Sequence, residues 1–318
     1  MMHQCNARIA GVQSIFPKDS ILNEDLGYDK TWIDRVGINV RHLARPTDRL
    51  DDLASIACHQ LCDKLSWAST EIDVCVVVTQ TPDLRLPGVA LHIQEKLGLR
   101  SDAVCFDLNL GCSGYPYGLY VVSSLLEKVK GKGLLITGDF SSRIVDSSDS
   151  STSPIFSDGL AVSAIEFDAN NIMRFSLNSD GKGSPTIHCT AHGKLTMDGM
   201  SIFSFALSTI PKHIQDFMRR LDMKHSEIDG VFLHQANQMI SEGIIRRIGW
   251  PSSLFPSTLS KYGNTSSASI PITLSDHYTS SPIQKENWVL FTGFGVGLSW
   301  GSVLVKLDSS FVANTMFR

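Results

Sequence analysis

The chain has 318 residues, of which 42% are hydrophobic and 19% charged, and its net charge is −4. That balance argues against a nucleic-acid or membrane-surface partner, and apolar runs such as Val74–Val78 fall far short of the ~18 residues of a spanning helix. The charged fraction sits below the ~25% usual in soluble proteins, so a large core, a large subunit interface or both are expected.

At ~100–200 residues per domain, the length suits two domains or two similar halves. Met1–Ala10 carries Gln4, Asn6 and Arg8 and has no apolar stretch of the signal-peptide kind. Seven cysteines, an odd number without framework spacing, read as reduced thiols of a cytoplasmic protein.

In chain order, Ile72–Thr79 is a β-branched run and a buried-strand candidate. Val89–Leu97 shows helical spacing at Ala90, Ile93 and Leu97, with Gly98 as its stop. Val104–Leu108 reads as a strand and Gly118–Lys130 as a long helix with Leu119, Val122, Leu125 and Leu126 on one side. Ser141–Pro154, rich in Ser and Asp, reads as a solvated loop between the strands Leu134–Thr137 and Ala161–Phe167. Such alternation implies a layered α/β fold.

The second half echoes the first. Glu71-Ile72-Asp73 leads into Val76–Gln80 as Glu227-Ile228-Asp229 leads into Val231–Gln235, and Leu134–Gly138 matches Val289–Gly293, both at an offset of about 155 positions. Duplicated halves follow, with a seam in the turn-rich region near 165–185. The first half (1–165) carries the candidate nucleophile, and the second (166–318) carries its candidate partners.

That nucleophile is Cys112. In Asp107–Tyr115 a strand ends, Gly111 and Gly114 permit a tight turn, and a helix follows, which puts the thiol near a helix N-terminus where the macrodipole favours a thiolate. His234 follows the strand Val231–Leu233, the place where α/β folds put polar functional groups. Asn264 follows Gly263 and precedes small residues that begin a closely packed helix, so Cys112 and Asn264 are expected at related helix starts facing each other between the halves.

Taken together, Trp32–His42, Asp107–Gly118, Leu195–Phe203, His234–Asn237, Gly263–Ser266 and Gly293–Gly301 resemble the β-ketoacyl-acyl-carrier-protein synthase III family of the thiolase superfamily. The resemblance implies a duplicated five-layer αβαβα fold, a homodimer and a role in fatty acid biosynthesis. It implies that Cys112 takes an acyl group from a thioester, and that His234 and Asn264 hold the enolate of a decarboxylating malonyl thioester. Backbone N–H groups of Cys112 and Val296 would form the oxyanion hole.

Further residues follow from the same resemblance. Trp32 and Arg35 would sandwich adenine, Leu86 would reach the partner's acyl pocket, and Met200 and Phe203 would line the substrate tunnel. Arg246 and Arg247 would dock an acidic carrier protein. Coenzyme A or phosphopantetheine thioesters are substrates, and neither a cofactor nor a metal is implied. Departures stand at Val296 (usually Gly, so crowding is expected), Met200 (usually Asn), and Ser150 and Met239 (often Arg).

These departures keep a second reading open: an acyltransferase or starter-unit ketosynthase of a specialised pathway, passing the acyl group to a non-malonyl acceptor. A dinucleotide loop at Gly293–Gly297 is disfavoured because a strand follows it. Papain-like peptidases lack a match around Cys112, and a non-catalytic ketosynthase-like subunit fits poorly with all three polar residues retained. No glutamate suits a 3-hydroxy-3-methylglutaryl-CoA synthase. Cys58, His59 and Cys62, and His188, Cys189 and His192, lack the spacing of metal ligands. Cys75 and Cys105 lie in strands and are expected to be inert.

Overall fold

A computed structural model describes residues 1–191 and 193–318, so His192 of the His188–Cys189 group lies outside the described residues. The chain opens with β1 (His3–Phe16), followed by a small hairpin of β2 (Ser20–Leu22) and β3 (Val40–His42) around α1 (Lys30–Val36). α1 starts where the Asp29 carboxylate accepts the Trp32 N–H and stops at Gly37, whose φ of 80° costs a glycine little.

Next come α2 (Leu50–Leu65), β4 (Ile72–Val78), α3 (Val89–Leu97) and β5 (Val104–Leu108), close to the sequence expectations. α4 (Gly114–Val129) begins four residues before the expected Gly118, because glycine and Pro116 suit a first helical turn. β6 (Lys132–Asp139) and β7 (Gly159–Ser179) complete this half.

β7 is far longer than the expected Ala161–Phe167, and the 165/166 division falls inside it. Its first part pairs with β6 (Gly159–Glu166), its last part pairs with β12 (Arg174–Ser179), and β1 runs antiparallel beside Leu160–Phe167 and Ile172–Phe175. Asp168–Asn171 have no ladder partner, β1 shifting register there between Asn6 and Ala7, and the paired stretches on either side carry the strand through residues where propensity alone would end it.

A short hairpin, β8 (Ile187–His188) with β9 (Thr196–Met197), leads to α5 (Gly199–Arg220), β10 (Gly230–Leu233) and α6 (Gln238–Ile248). The chain then forms α7 (Leu259–Tyr262), α8 (Ser269–Ser280), β11 (Asn287–Gly295), β12 (Ser299–Leu307) and β13 (Val312–Phe317).

The nine-stranded mixed sheet follows the order β10-β11-β12-β7-β6-β4-β5, with β1 beside β7 and β13 beside β1. The pairing repeats. β4 and β6 are parallel, β6 and the first part of β7 antiparallel, and that part pairs antiparallel with β1. β10, β11, β12 and the last part of β7 reproduce the same sequence of parallel, antiparallel and antiparallel ladders.

Three apolar clusters separate the layers. α2 and α3 cover one outer face, α5 and α6 the opposite one, and α4 and α8 lie between with buried residues packed on strands of both halves. α4 and α8 are therefore buried on most sides, as a middle layer requires. No helix among the described residues is long and apolar enough to cross a membrane.

Candidate active site

Cys112 sits two residues before α4, in the turn closed by the Gly114 N–H donating to the Gly111 carbonyl at 2.7 Å. His234 follows β10, its N–H donating to Thr292 O of β11 at 2.9 Å. Asn264 does not start a helix: a 3-10 turn at Ser266–Ala268 separates it from α8 at Ser269. Small polar side chains there support a tight turn in place of the expected helix. Asn264 is instead pinned to the first half, its N–H donating to Ile155 O at 3.0 Å and its carbonyl accepting the Ser157 N–H at 2.9 Å.

The three side chains are buried and line one cavity of about 70 Å³, walled by Ile155, Phe156, Met197, Ile202, Ile240 and Phe294. Asn264 and His234 are each aimed by a neighbour. The Asn264 Oδ1 accepts the Ser266 N–H at 2.9 Å, which turns its NH2 group the other way. The His234 ring packs edge-on against Phe294, with centroids 5.4 Å apart.

Ser269 braces the His234 ring: its Oγ accepts the Gln235 N–H at 3.3 Å and lies 2.7 Å from His234 Nδ1. Burial pushes the imidazole down to about 3, leaving it a neutral donor. Ser269→Ala is expected to slow the step that uses this donor roughly five- to tenfold, about 1 kcal/mol, while acylation of Cys112 is unchanged. Single-turnover mass spectrometry separates the two steps, and equal slowing of both would exclude this role.

The Cys112 thiol departs from expectation. Burial, with the Asp139 charge second, raises it to about 12, the reverse of the lowering expected at a helix terminus. Glycine is required opposite it: at Gly295, φ +155°, an added Cβ would lie 2.7 Å from Cys112 Cβ and 3.2 Å from Sγ.

Val296 follows, its carbonyl accepting the Ser299 hydroxyl at 2.6 Å while Ser299 Oγ is 2.6 Å from Ser113 Oγ. The Val296 side chain lines a neighbouring cleft of about 700 Å³ with Gln80, Asn109 and Arg143, and is absent from the Cys112 cavity wall. The crowding expected from valine falls on that side, 3.2 Å from where a Gly111 Cβ would stand.

The remaining residues lie outside the cavity. Met200 is 78% exposed at the start of α5, while its neighbour Gly199 lines the cavity. Phe203 is half-buried against the α5–α6 cluster. Trp32 packs on Tyr28 and on the cluster that includes Ile155, whereas Arg35, Arg246 and Arg247 are exposed. Leu86 is 82% exposed, and Ser150 and Met239 are also exposed.

Ser269, Ser266, Asp139 and Ser299 were not singled out by sequence, since a serine or aspartate acquires a role only through its spatial neighbours. All seven cysteines are free, with Cys75 and Cys105 register neighbours on β4 and β5. No cluster of three potential metal ligands occurs among the described residues.

Comparison with known proteins matches this architecture. Residues 106–181 fit the family model "3-Oxoacyl-[acyl-carrier-protein (ACP)] synthase III" and residues 218–307 that of its C-terminal part. The chain is 35% identical over 324 residues to the β-ketoacyl-[acyl-carrier-protein] synthase III of Streptococcus mutans, covering 95% of this chain and 99% of that one. A 3-oxoacyl-(acyl-carrier protein) synthase from Burkholderia xenovorans superposes with a TM-score of 0.95 at 29% identity, over 100% and 99% of the two chains. The priming β-ketosynthase of the R1128 polyketide pathway gives 0.88 at 25% identity, over 96% and 97%. The chain belongs to the β-ketoacyl-acyl-carrier-protein synthase III family of condensing acyltransferases.

Proposed function

We propose that this enzyme moves an acyl group from an acyl thioester to Cys112 Sγ and then joins it to the carbanion left when a malonyl thioester loses carbon dioxide. The observation that carries this reading is the convergence of one thiol and two neutral N–H donors, His234 and Asn264, on a single apolar-walled cavity. An enolate oxygen gains most from preorganised donors where water is excluded, and splitting the transfer through a thioester on Cys112 makes the kinetics ping-pong. Backbone N–H groups of Cys112 and Val296 serve the tetrahedral intermediate, and the serine chain Ser113–Ser299 supports the Val296 peptide.

The substrates in this reading are acyl-coenzyme A and malonyl-acyl carrier protein, with no resident cofactor. Arg246 and Arg247 lie exposed in the last turn of α6, and Gly37 at the end of α1 packs on Gln238 at the start of α6. Carrier-protein docking there is adjacent to Trp32 and Arg35, the proposed nucleotide contacts. Met200 and Phe203 border the proposed pantetheine path. A cytoplasmic homodimer is part of the proposal. β5 is a sheet-edge strand with exposed Val104, and Leu86 projects from the surface, a pairing edge and an apolar anchor that a second copy would cover.

A priming role in a specialised pathway is the second reading, favoured by the structural likeness to the R1128 priming ketosynthase. Incubation with an acyl-CoA panel and malonyl-acyl carrier protein is expected to release carbon dioxide and form a β-ketoacyl product. Acyl transfer to other acceptors without carbon dioxide release would favour the second reading.

A further inference from the structure

Arg41, in β3 and within the Trp32–His42 motif, has no part in the mechanism above, yet it is only 4% exposed. A guanidinium keeps its charge, and burying one is costly unless its N–H groups are met. Both of its hydrogen-bond partners among the described residues are neutral. Its Nε donates to Asn23 Oδ1 at 2.9 Å, and a terminal nitrogen donates to the Phe156 carbonyl at 3.3 Å. Asn23 is itself buried and fully engaged. Its Nδ2 donates to Ile38 O and Pro154 O, both at 2.9 Å, which fixes Oδ1 toward Arg41.

Phe156 is where this pair reaches the active site. Its side chain walls the Cys112 cavity, and its carbonyl shares one peptide group with the Ser157 N–H. That N–H donates to the Asn264 carbonyl at 2.9 Å, while the Asn264 N–H donates to Ile155 O at 3.0 Å. A continuous line therefore runs from the buried cation, through the 156–157 peptide, to the backbone of Asn264. Hydrogen bonds in series polarise one another, and a charged donor at the head strengthens those behind it. The line is also tightly packed. Gly263, φ +64°, sits so close that an added Cβ would lie 3.0 Å from Ser157 Cβ and 3.3 Å from Arg41 Cγ. Ser157 Oγ is fixed in turn, accepting the His42 N–H at 2.8 Å.

We propose that Arg41, held by Asn23, is a positioning residue for the decarboxylating half-reaction and sets Asn264 through the Phe156–Ser157 peptide. It touches no reacting atom. The Asn264 side chain has one firm contact of its own, the Ser266 N–H on Oδ1 at 2.9 Å, and its Nδ2 reaches Ala236 O only at 3.4 Å. Where the NH2 group points therefore depends on how the Asn264 backbone is held, and a misplaced donor loses much of its worth to a developing charge. Cys112 stands in a different turn, between β5 and α4, so acylation lies off this line.

This role rests on the decarboxylative reading above. The test is single-turnover mass spectrometry on the full chain, with acetyl-CoA for acylation and malonyl-acyl carrier protein for discharge. Arg41→Lys keeps the charge but loses the planar fork, and is expected to slow discharge about tenfold while acylation stays within about twofold of wild type. Asn23→Ser, whose shorter side chain cannot hold Ile38, Pro154 and Arg41 together, is expected to do the same. Acylation near the wild-type rate shows that a variant is folded, and if Arg41→Lys takes no label then Asn23→Ser decides on the same criteria. In an Asn264→Ala background either substitution is expected to change discharge less than about twofold, because the donor it positions is gone. Unchanged discharge, equal slowing of both steps, or a tenfold loss that persists beside Asn264→Ala overturns the role of Arg41 alone. A wild-type chain that acylates but releases no carbon dioxide from the malonyl substrate overturns the decarboxylative reading, and the role with it.

Discussion

Replacing His234 with Ala is expected to leave Cys112 able to accept an acyl group but to slow discharge by the malonyl substrate at least ~10²-fold, the usual cost of one oxyanion donor. The separation arises because the two half-reactions place charge on different atoms. In the proposed mechanism, acylation develops charge at the thioester oxygen near the Cys112 backbone, whereas decarboxylation develops it on the enolate assigned to His234 and Asn264. Asn264→Asp is expected to be at least as damaging, since it sets a carboxylate oxygen where the amide NH2 now points. Because burial holds His234 neutral down to about pH 3, no acid limb from its imidazole should appear in discharge between pH 5 and 8. Rapid-quench mass spectrometry reads both steps on one sample. Slowing of acylation and discharge by the same factor would remove the distinction.

Gly295→Ala is the second large effect. The residue is in a conformation glycine tolerates, and its Cβ would meet the Cys112 side chain at 2.7 Å, with little room to yield beneath buried Phe294. Backbone strain of ~1–3 kcal/mol adds to overpacking of ~1–3 kcal/mol. Cys112 is then displaced or capped, so both denaturant stability and labelling of Cys112 should fall. An alanine variant with unchanged midpoint and labelling rate would show that the loop has slack the packing does not suggest.

Much of this was legible in the sequence, for identifiable reasons. Strands β4 and β5 and helix α3 have local signals that agree with their environment, such as the Ile72–Val78 run and the Gly98 stop. The echo between Leu134–Gly138 and Val289–Gly293 shows up as matching positions of β6 and β11. Cys112 stood out because a glycine-flanked turn between strand and helix is visible locally. By contrast, the length of β7 depends on partners from β1, β6 and β12, and polar Asp168–Asn171 conceal it.

The rise in the Cys112 thiol is not legible in the sequence because the helix terminus is a local feature, while burial and the Asp139 charge are tertiary ones. Ser269 and Asp139 lie 35 and 60 positions from the His234 and Thr79 they bond, so no local motif joins them. Val296 shows the same limit: its identity is plain in sequence, but which of two adjoining spaces its side chain fills is not.

The most direct measurement is intact-mass analysis of the purified chain after exposure to acyl-CoAs and then to malonyl-acyl carrier protein. A single acyl adduct is predicted, mapped to Cys112, absent from Cys112→Ala and lost on malonyl addition with release of carbon dioxide. An adduct that persists in Cys112→Ala, or no adduct from any acyl donor, would contradict it.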